Sequence, residues 1–126
     1  MMLAGALLGA SGVLLGAFGA HGLEGHLPAN LLRAYQKAVD YQFIHALLLL
    51  FIGLRASQRP DPWLNRAGVF SLLGVLLFSG SLYLLALSGL LGIGWITPLG
   101  GISFVIGWLC LFKGLTSGPG ERGLTS

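Results

Sequence analysis

The sequence predicts an all-α fold, an integral membrane four-helix bundle, on three observations. Of its 126 residues, 55% are hydrophobic and only 9% are charged. Soluble domains carry about 25% charged residues, so a soluble fold of this composition would lack the polar surface to cover itself. The apolar residues gather in four runs, at 2–20, 31–54, 67–91 and 96–115, and a helix needs roughly 20 residues to cross about 30 Å of hydrocarbon. These runs take up nearly the whole chain. Residues 1–115 therefore form one transmembrane domain, and 116–126 a glycine- and serine-rich tail expected to be polar and flexible.

The first run contains "GALLGASGVLLGAFGAHG", in which Gly5, Gly9, Gly12, Gly16 and Gly19 recur at spacings of four, three, four and three. That is one face of a helix. In water each glycine would weaken the helix by up to about 1 kcal/mol relative to alanine. In lipid an unpaired backbone group costs several kcal/mol, so the chain stays helical, and the bare stripe lets a neighbouring backbone come close. The run ends in "AFGA", which looks like a signal-peptide cleavage site, but residues 1–4 carry no Lys or Arg. A retained helix is expected on that ground.

"HGLEGHLPAN" is a short connection in which Pro28 and Asn30 are placed to start the second helix. That helix reads "RAYQKAVDYQFIHALLLL". Arg33, Lys37 and Asp40 share a face and read as an interfacial stripe with snorkelling cations, in which Lys37 and Asp40 can pair. Gln42 and His45 lie deeper, with Tyr41 on the face of His45. An ionisable group within a membrane is a functional-site hypothesis with a partner to be found. The third helix offers Ser79, Ser81 and Tyr83 from "FSGSLY", and His21 can join from the loop side. The expected intramembrane polar network is thus His21, Tyr41, Gln42, His45, Ser79, Ser81 and Tyr83. Its plain account is a neutral histidine that fixes helix register, since buried polar groups are mostly satisfied and structural.

"RASQRPDPWLNR" is a basic loop whose prolines stop helix propagation and whose Trp63 can anchor at the interface. The third helix carries a weaker small-residue stripe at Ala67, Ser71, Gly74, Ser81 and Ser88. "GLLGIGWITP" is a short apolar turn, with Trp95 at headgroup depth and Pro98 in the first turn of the last helix, where proline is tolerated. The fourth helix repeats the seam strictly: Gly100, Ser103, Gly107, Cys110 and Gly114 are spaced three, four, three and four. Both seams have the look of a glycine zipper. Packing within the chain explains them first, because each helix has three neighbours to satisfy, and a homo-oligomer interface is the alternative.

The net charge of +3 is not gathered into a basic patch interleaved with aromatics, so nucleic acid is not an expected partner. Arg55, Arg59 and Arg66 crowd the second connection and Lys113 and Arg122 the C-terminal end, against Arg33 and Lys37 near the first. By the positive-inside rule both termini are expected in the cytoplasm. Cys110 is the only cysteine, which excludes an intrachain disulfide and a cysteine metal site.

"GAFGAHGL" at 16–23, "YQFIHALLL" at 41–49, "FSGSLYLL" at 78–85, "TPLGG" at 97–101 and "GW" at 107–108 occur in this order. Together they resemble the domain of unknown function 423 family, small bacterial inner-membrane proteins with animal relatives, over residues 9 to 112. The resemblance implies about four membrane helices in the inner membrane and no established activity. His21, Tyr41, Gln42, His45, Ser79, Ser81, Tyr83, Thr97, Pro98, Gly100, Gly101 and Trp108 match its signature positions.

The expected function is a compact helix-packing module that meets the lipid bilayer and binds lipid, a further copy or a partner membrane protein. A small transporter or proton-linked carrier built on His45 is the first alternative. A haem- or metal-binding membrane protein using His21 and His45 is the second. The sequence holds no nucleophile elbow, phosphate loop, paired carboxylates or H-E-x-x-H, so no enzyme and no cofactor are expected.

Overall fold

A computed structural model describes residues 1–116; all of the expected tail except Thr116 lies outside the described residues. Helix α1 (Met2–Phe18) ends in a π-helical turn, Gly19–Leu23. Helix α2 covers Ala29–Gln58. Helix α3 (Pro62–Gly74) runs through a second π turn, Val75–Ser79, into α4 (Gly80–Ser88). A 3-10 turn, Leu91–Trp95, leads into α5 (Ile96–Thr116). Four stretches are long and apolar enough to cross a membrane: Met2–Leu23, Ala29–Gln58, Pro62–Ser88 and Gly92–Thr116. The protein is an all-α, four-span membrane bundle, with no strand among the described residues.

Two boundaries differ from the apolar runs by four residues or more, where the helix continues through polar residues that hydropathy does not register. Helix α2 runs on to Gln58 and stops where Arg59 turns extended (φ −148°, ψ 87°), as a residue before proline must. Helix α3 begins five residues ahead of its apolar run. The Asp61 carboxylate accepts the Trp63 N–H at 2.8 Å and Pro62 supplies the first helical φ, a strong start signal. At the other end of this span Gly89 closes α4 in the left-handed conformation (φ 72°), which glycine adopts without strain.

Helix α2 is the hub. It packs on α1 along one side and on α3 and α4 along the other, while α5 lies chiefly against α3. Both tight pairs close over small residues. On α1, a Cβ at Gly5 would stand 2.8 Å from the Ala46 carbonyl oxygen, at Gly12 3.1 Å from the Phe43 ring, and at Gly19 2.5 Å from the Tyr35 ring. These three are seven apart and mark the contact line. Gly16 sits at its margin, at ordinary distance (3.4 Å) from Val39, and Gly9 has nothing within 4 Å. The expected five-glycine seam on α1 is therefore narrower than its spacing: Gly9 and Gly16, each four residues on from a line position, lie about 40° round the helix from the line of closest approach.

On α5 the whole predicted stripe, Gly100, Ser103, Gly107, Cys110 and Gly114, is buried. A Cβ on Gly100 would fall 2.3 Å from the Phe78 amide nitrogen, on Gly107 3.0 Å from Ser71 Oγ, and on Gly114 2.9 Å from Leu64 Cδ2. In the third span the buried face runs Leu64, Ala67, Gly68, Ser71 and Gly74, passes through Val75 and Ser79 in the π turn, and goes on at Ser81, Leu82 and Ala86. The π turn adds a residue, which shifts the inward face by one place. Ser81 is still buried, but Ser88 is exposed and donates to the Leu84 carbonyl of its own helix, so the expected third-span stripe does not reach Ser88.

Candidate functional site

Polar side chains inside the bundle form two separate clasps, both centred on α2. In the first, the Gln42 amide nitrogen donates to the Leu8 carbonyl (2.8 Å) and to Ser11 Oγ (2.9 Å), both on α1. Its amide oxygen accepts the Tyr83 hydroxyl of α4 at 2.6 Å. Both N–H bonds of this buried amide are thus used, and one residue ties three helices. Two turns above, the Tyr35 hydroxyl donates to the Leu15 carbonyl, and its ring meets that of Tyr83 edge-on at 5.2 Å.

The second clasp holds α5. His45, 2% exposed, has Nδ1 2.8 Å from the Tyr41 carbonyl, and the Trp108 indole N–H donates to its Nε2 at 3.2 Å. An Nε2 that accepts must be unprotonated, so Nδ1 carries the proton and the ring is neutral in this arrangement. The imidazole lies flat on Phe104 with centroids 3.7 Å apart, and Tyr41 and Phe78 complete the aromatic stack. Bulky rings span the gap between α2 and α5, where no backbone comes close.

Single hydroxyls close the remaining joints. Ser79 donates to the Ala38 carbonyl at 2.8 Å and Ser103 to the Phe70 carbonyl at 2.7 Å. Ser81 donates to the Phe78 carbonyl at 2.9 Å and lies 2.6 Å from the Thr97 hydroxyl. Ser71 Oγ is buried with no hydrogen-bond partner among the described residues.

The expected network is thus divided. Gln42 with Tyr83 is one joint, Tyr41 with His45 another, and Ser79 and Ser81 bond locally. His21 is outside all of them: it stands exposed in the turn Gly19–Leu23. Since Gly19 meets Tyr35, His21 is level with about Arg33, twelve residues or roughly 18 Å above His45. The two histidines cannot ligate one haem iron. Among the described residues no three His, Cys, Asp or Glu side chains gather as a metal site. Sequence reasoning missed Tyr35, Ser11 and Phe104. Trp108 and Thr97 entered only as signature positions.

The same contacts set relative heights across the spans. Ser79 is level with Ala38 by their hydrogen bond, so Trp63, sixteen residues down the third span, is level with about Leu54. Thr97 meets Ser81, so Trp95 is level with about Ala34. The two indoles are therefore twenty residues of α2 apart, roughly 30 Å, which is the thickness of a bilayer's hydrocarbon. Asp40 lies about six residues, or 9 Å, inside the upper limit. At its height the other spans turn leucine or isoleucine outward: Leu14 (73% exposed), Leu76 (60%) and Ile102 (57%). With the two indoles taken as the edges of the apolar slab, the lower end of the stripe Arg33, Lys37 and Asp40 falls inside it.

The family described as "Protein of unknown function (DUF423)" matches residues 15–101, more than half of the chain and all of the Gln42 clasp that lies on α2 and α4. The chain belongs to the DUF423 family. Its DUF423 relatives include a UPF0382 membrane protein of Staphylococcus haemolyticus, 49% identical over 85% of this chain and 87% of the relative. The UPF0382 membrane protein YwdK of Bacillus subtilis is 41% identical over 85% and 88%. The UPF0382 inner membrane protein YgdD of Escherichia coli is 40% identical over 90% and 87%. No solved structure matches this DUF423 chain.

Proposed function

We propose that this DUF423 protein is a non-enzymatic helix-packing module, whose interior is locked and whose outer surface engages lipid or another membrane protein. One observation carries the reading: the two polar residues deepest in α2 are fully engaged in holding helices together. Gln42 uses both amide protons and its oxygen, and both ring nitrogens of His45 are bonded. A proton carrier needs a site that exchanges its proton, and a haem or metal ligand needs a free nitrogen lone pair. The Trp108 indole occupies that lone pair here. Orientation belongs to the same reading: Arg55, Arg59, Arg66 and Lys113 cluster at one end of the bundle, which favours that end, with both termini, in the cytoplasm.

Two measurements test the proposal. In proteoliposomes under a pH gradient, wild type and His45→Ala are both expected to leave the gradient intact; dissipation by wild type that the substitution abolishes would establish the carrier instead. Native mass spectrometry of the protein released from membranes is expected to show bound phospholipid or a second polypeptide. A bare single chain at every release condition would remove the binding half of the reading.

A further inference from the structure

We propose that the outward face of α2 is a self-association surface, on which Lys37 of one copy pairs with Asp40 of a second copy and Asp40 with Lys37. The inference names the partner left open in the preceding reading and rests on it only in that the outer surface is where binding occurs.

Helix α2 buries Tyr35, Ala38, Val39, Gln42, His45, Ala46, Leu48, Leu49 and Ile52, which occupy one half of its circumference. The other half, facing away from the bundle between α1 and α5, carries Arg33, Lys37, Asp40, Ile44, Leu47 and Phe51, all exposed. Asp40 stands at the centre of that half. It has no ion pair or side-chain hydrogen bond among the described residues, at a height where the neighbouring spans present leucine and isoleucine.

A carboxylate facing hydrocarbon is unfavourable by several kcal/mol, and such groups pair with one another in the proteins that keep them. Asp40 is too short to reach the headgroups across about 9 Å, whereas Lys37 has a flexible four-carbon stem. Below the level of Trp95 this face holds one charge of each sign, Lys37 and Asp40, three residues and about 4.5 Å of rise apart, while Arg33 stands above that level. A two-fold axis along the membrane normal sets two such faces against each other at equal height. Each positive group then meets a negative one, twice, which is the self-complementarity an isologous dimer requires. Below the charges, Ile44, Leu47 and Phe51 continue the same face as an apolar strip. A lipid tail would match that strip but leave Asp40 unpaired, and an anionic headgroup would repel it. A second copy satisfies both parts.

Charge reversal tests the pairing directly. Two pools of the full chain carrying donor and acceptor fluorophores on C-terminal tags are co-reconstituted into vesicles, and energy transfer is followed as lipid dilutes the protein. Wild type is expected to transfer energy in a saturable, concentration-dependent way. Below Arg33, Lys37→Asp alone leaves two negative charges on the face and Asp40→Lys alone two positive charges. Each is expected to weaken self-association by more than about tenfold, since like charges brought together cost several kcal/mol. Mixing the two single variants, or combining both reversals in one chain, is expected to restore it. Both side chains are exposed, so helix content by circular dichroism should not change. If a reversal fails to insert, Asp40→Asn and Lys37→Gln provide the same comparison with milder losses. Single variants that associate like wild type, or losses that neither mixing nor the double reversal restores, would overturn the pairing. If lipid or a different polypeptide were nevertheless retained in native mass spectrometry, the broader reading would stand. Wild type that is monomeric and bare in both experiments would end both.

Discussion

Gln42 ties the first three spans at one point, and its three hydrogen bonds set what its loss should do. Interhelical hydrogen bonds within membranes contribute about 0.6 kcal/mol on average and up to about 1.7. Gln42→Leu, similar in volume, is expected to lower unfolding free energy by about 1–3 kcal/mol, read by denaturation of the purified protein in mixed micelles. His45 and Trp108 should be coupled: the cycle of His45→Ala, Trp108→Phe and the double variant is expected to return an interaction of about 0.5–2 kcal/mol. Ser71 gives the opposite case, because its buried hydroxyl has no partner among the described residues. Ser71→Ala is expected to be neutral or to stabilise by up to about 1 kcal/mol, and a clear loss would show that the hydroxyl is bonded. At this scale the sequence was legible in kind but not in pairing. Gln42 and His45 were recognisable because amide and imidazole groups are rare in apolar runs. Their partners were not, since Leu8 and Tyr41 contribute backbone carbonyls, which every residue has, and Trp108 reads as one more aromatic in a membrane helix.

Among the elements, α5 shows how much hangs on the absence of a side chain. At Gly100 an added methyl would meet the Phe78 backbone at 2.3 Å, and at Gly74 it would meet the Phe104 ring at 2.2 Å. Backbone at the π turn cannot withdraw, whereas a ring can rotate. Gly100→Ala is therefore expected to lower the thermal aggregation midpoint in detergent more than Gly74→Ala, and Gly9→Ala, with open space around it, should leave the midpoint unchanged. Equal effects at Gly9 and Gly100 would contradict the packing described. The stripe on α5 was readable from spacing alone because the helix meets one partner, the third span, along its length. The stripe on the third span was readable at Ala67, Ser71, Gly74 and Ser81 but not at its end, because nothing in "VLLFSG" announces the π turn that precedes the exposed Ser88. Helix ends were displaced for a related reason: hydropathy sees Trp63 and Leu64 but not the Asp61 cap that starts the helix ahead of them.

Taken whole, the molecule is a hub helix with a helix pair on one side and a single helix seated on it over glycines on the other. Only 17% of the most apolar window of the first span is buried, against 44% for the second, so the first span is the one with most surface left for lipid or a neighbour. Four apolar runs were enough to read this architecture from composition, because hydrocarbon permits few alternatives to the helix. Membrane sidedness is expected to follow the basic cluster at Arg55, Arg59, Arg66 and Lys113. A reporter fused after residue 126 that is active only in the cytoplasm should be active, and one inserted at Gly25, in the first connection, should be silent. The three tryptophans extend the same geometry into a measurement. Trp63 and Trp95 stand near the two edges of the apolar slab and Trp108, level with about Leu47, stands near its middle. Their fluorescence therefore works as an internal depth gauge. Bromine atoms placed high on the acyl chains should quench the edge pair, and bromines near the chain ends should quench Trp108, so the same spectra that locate the indoles also report how deep in the oil Asp40 is held.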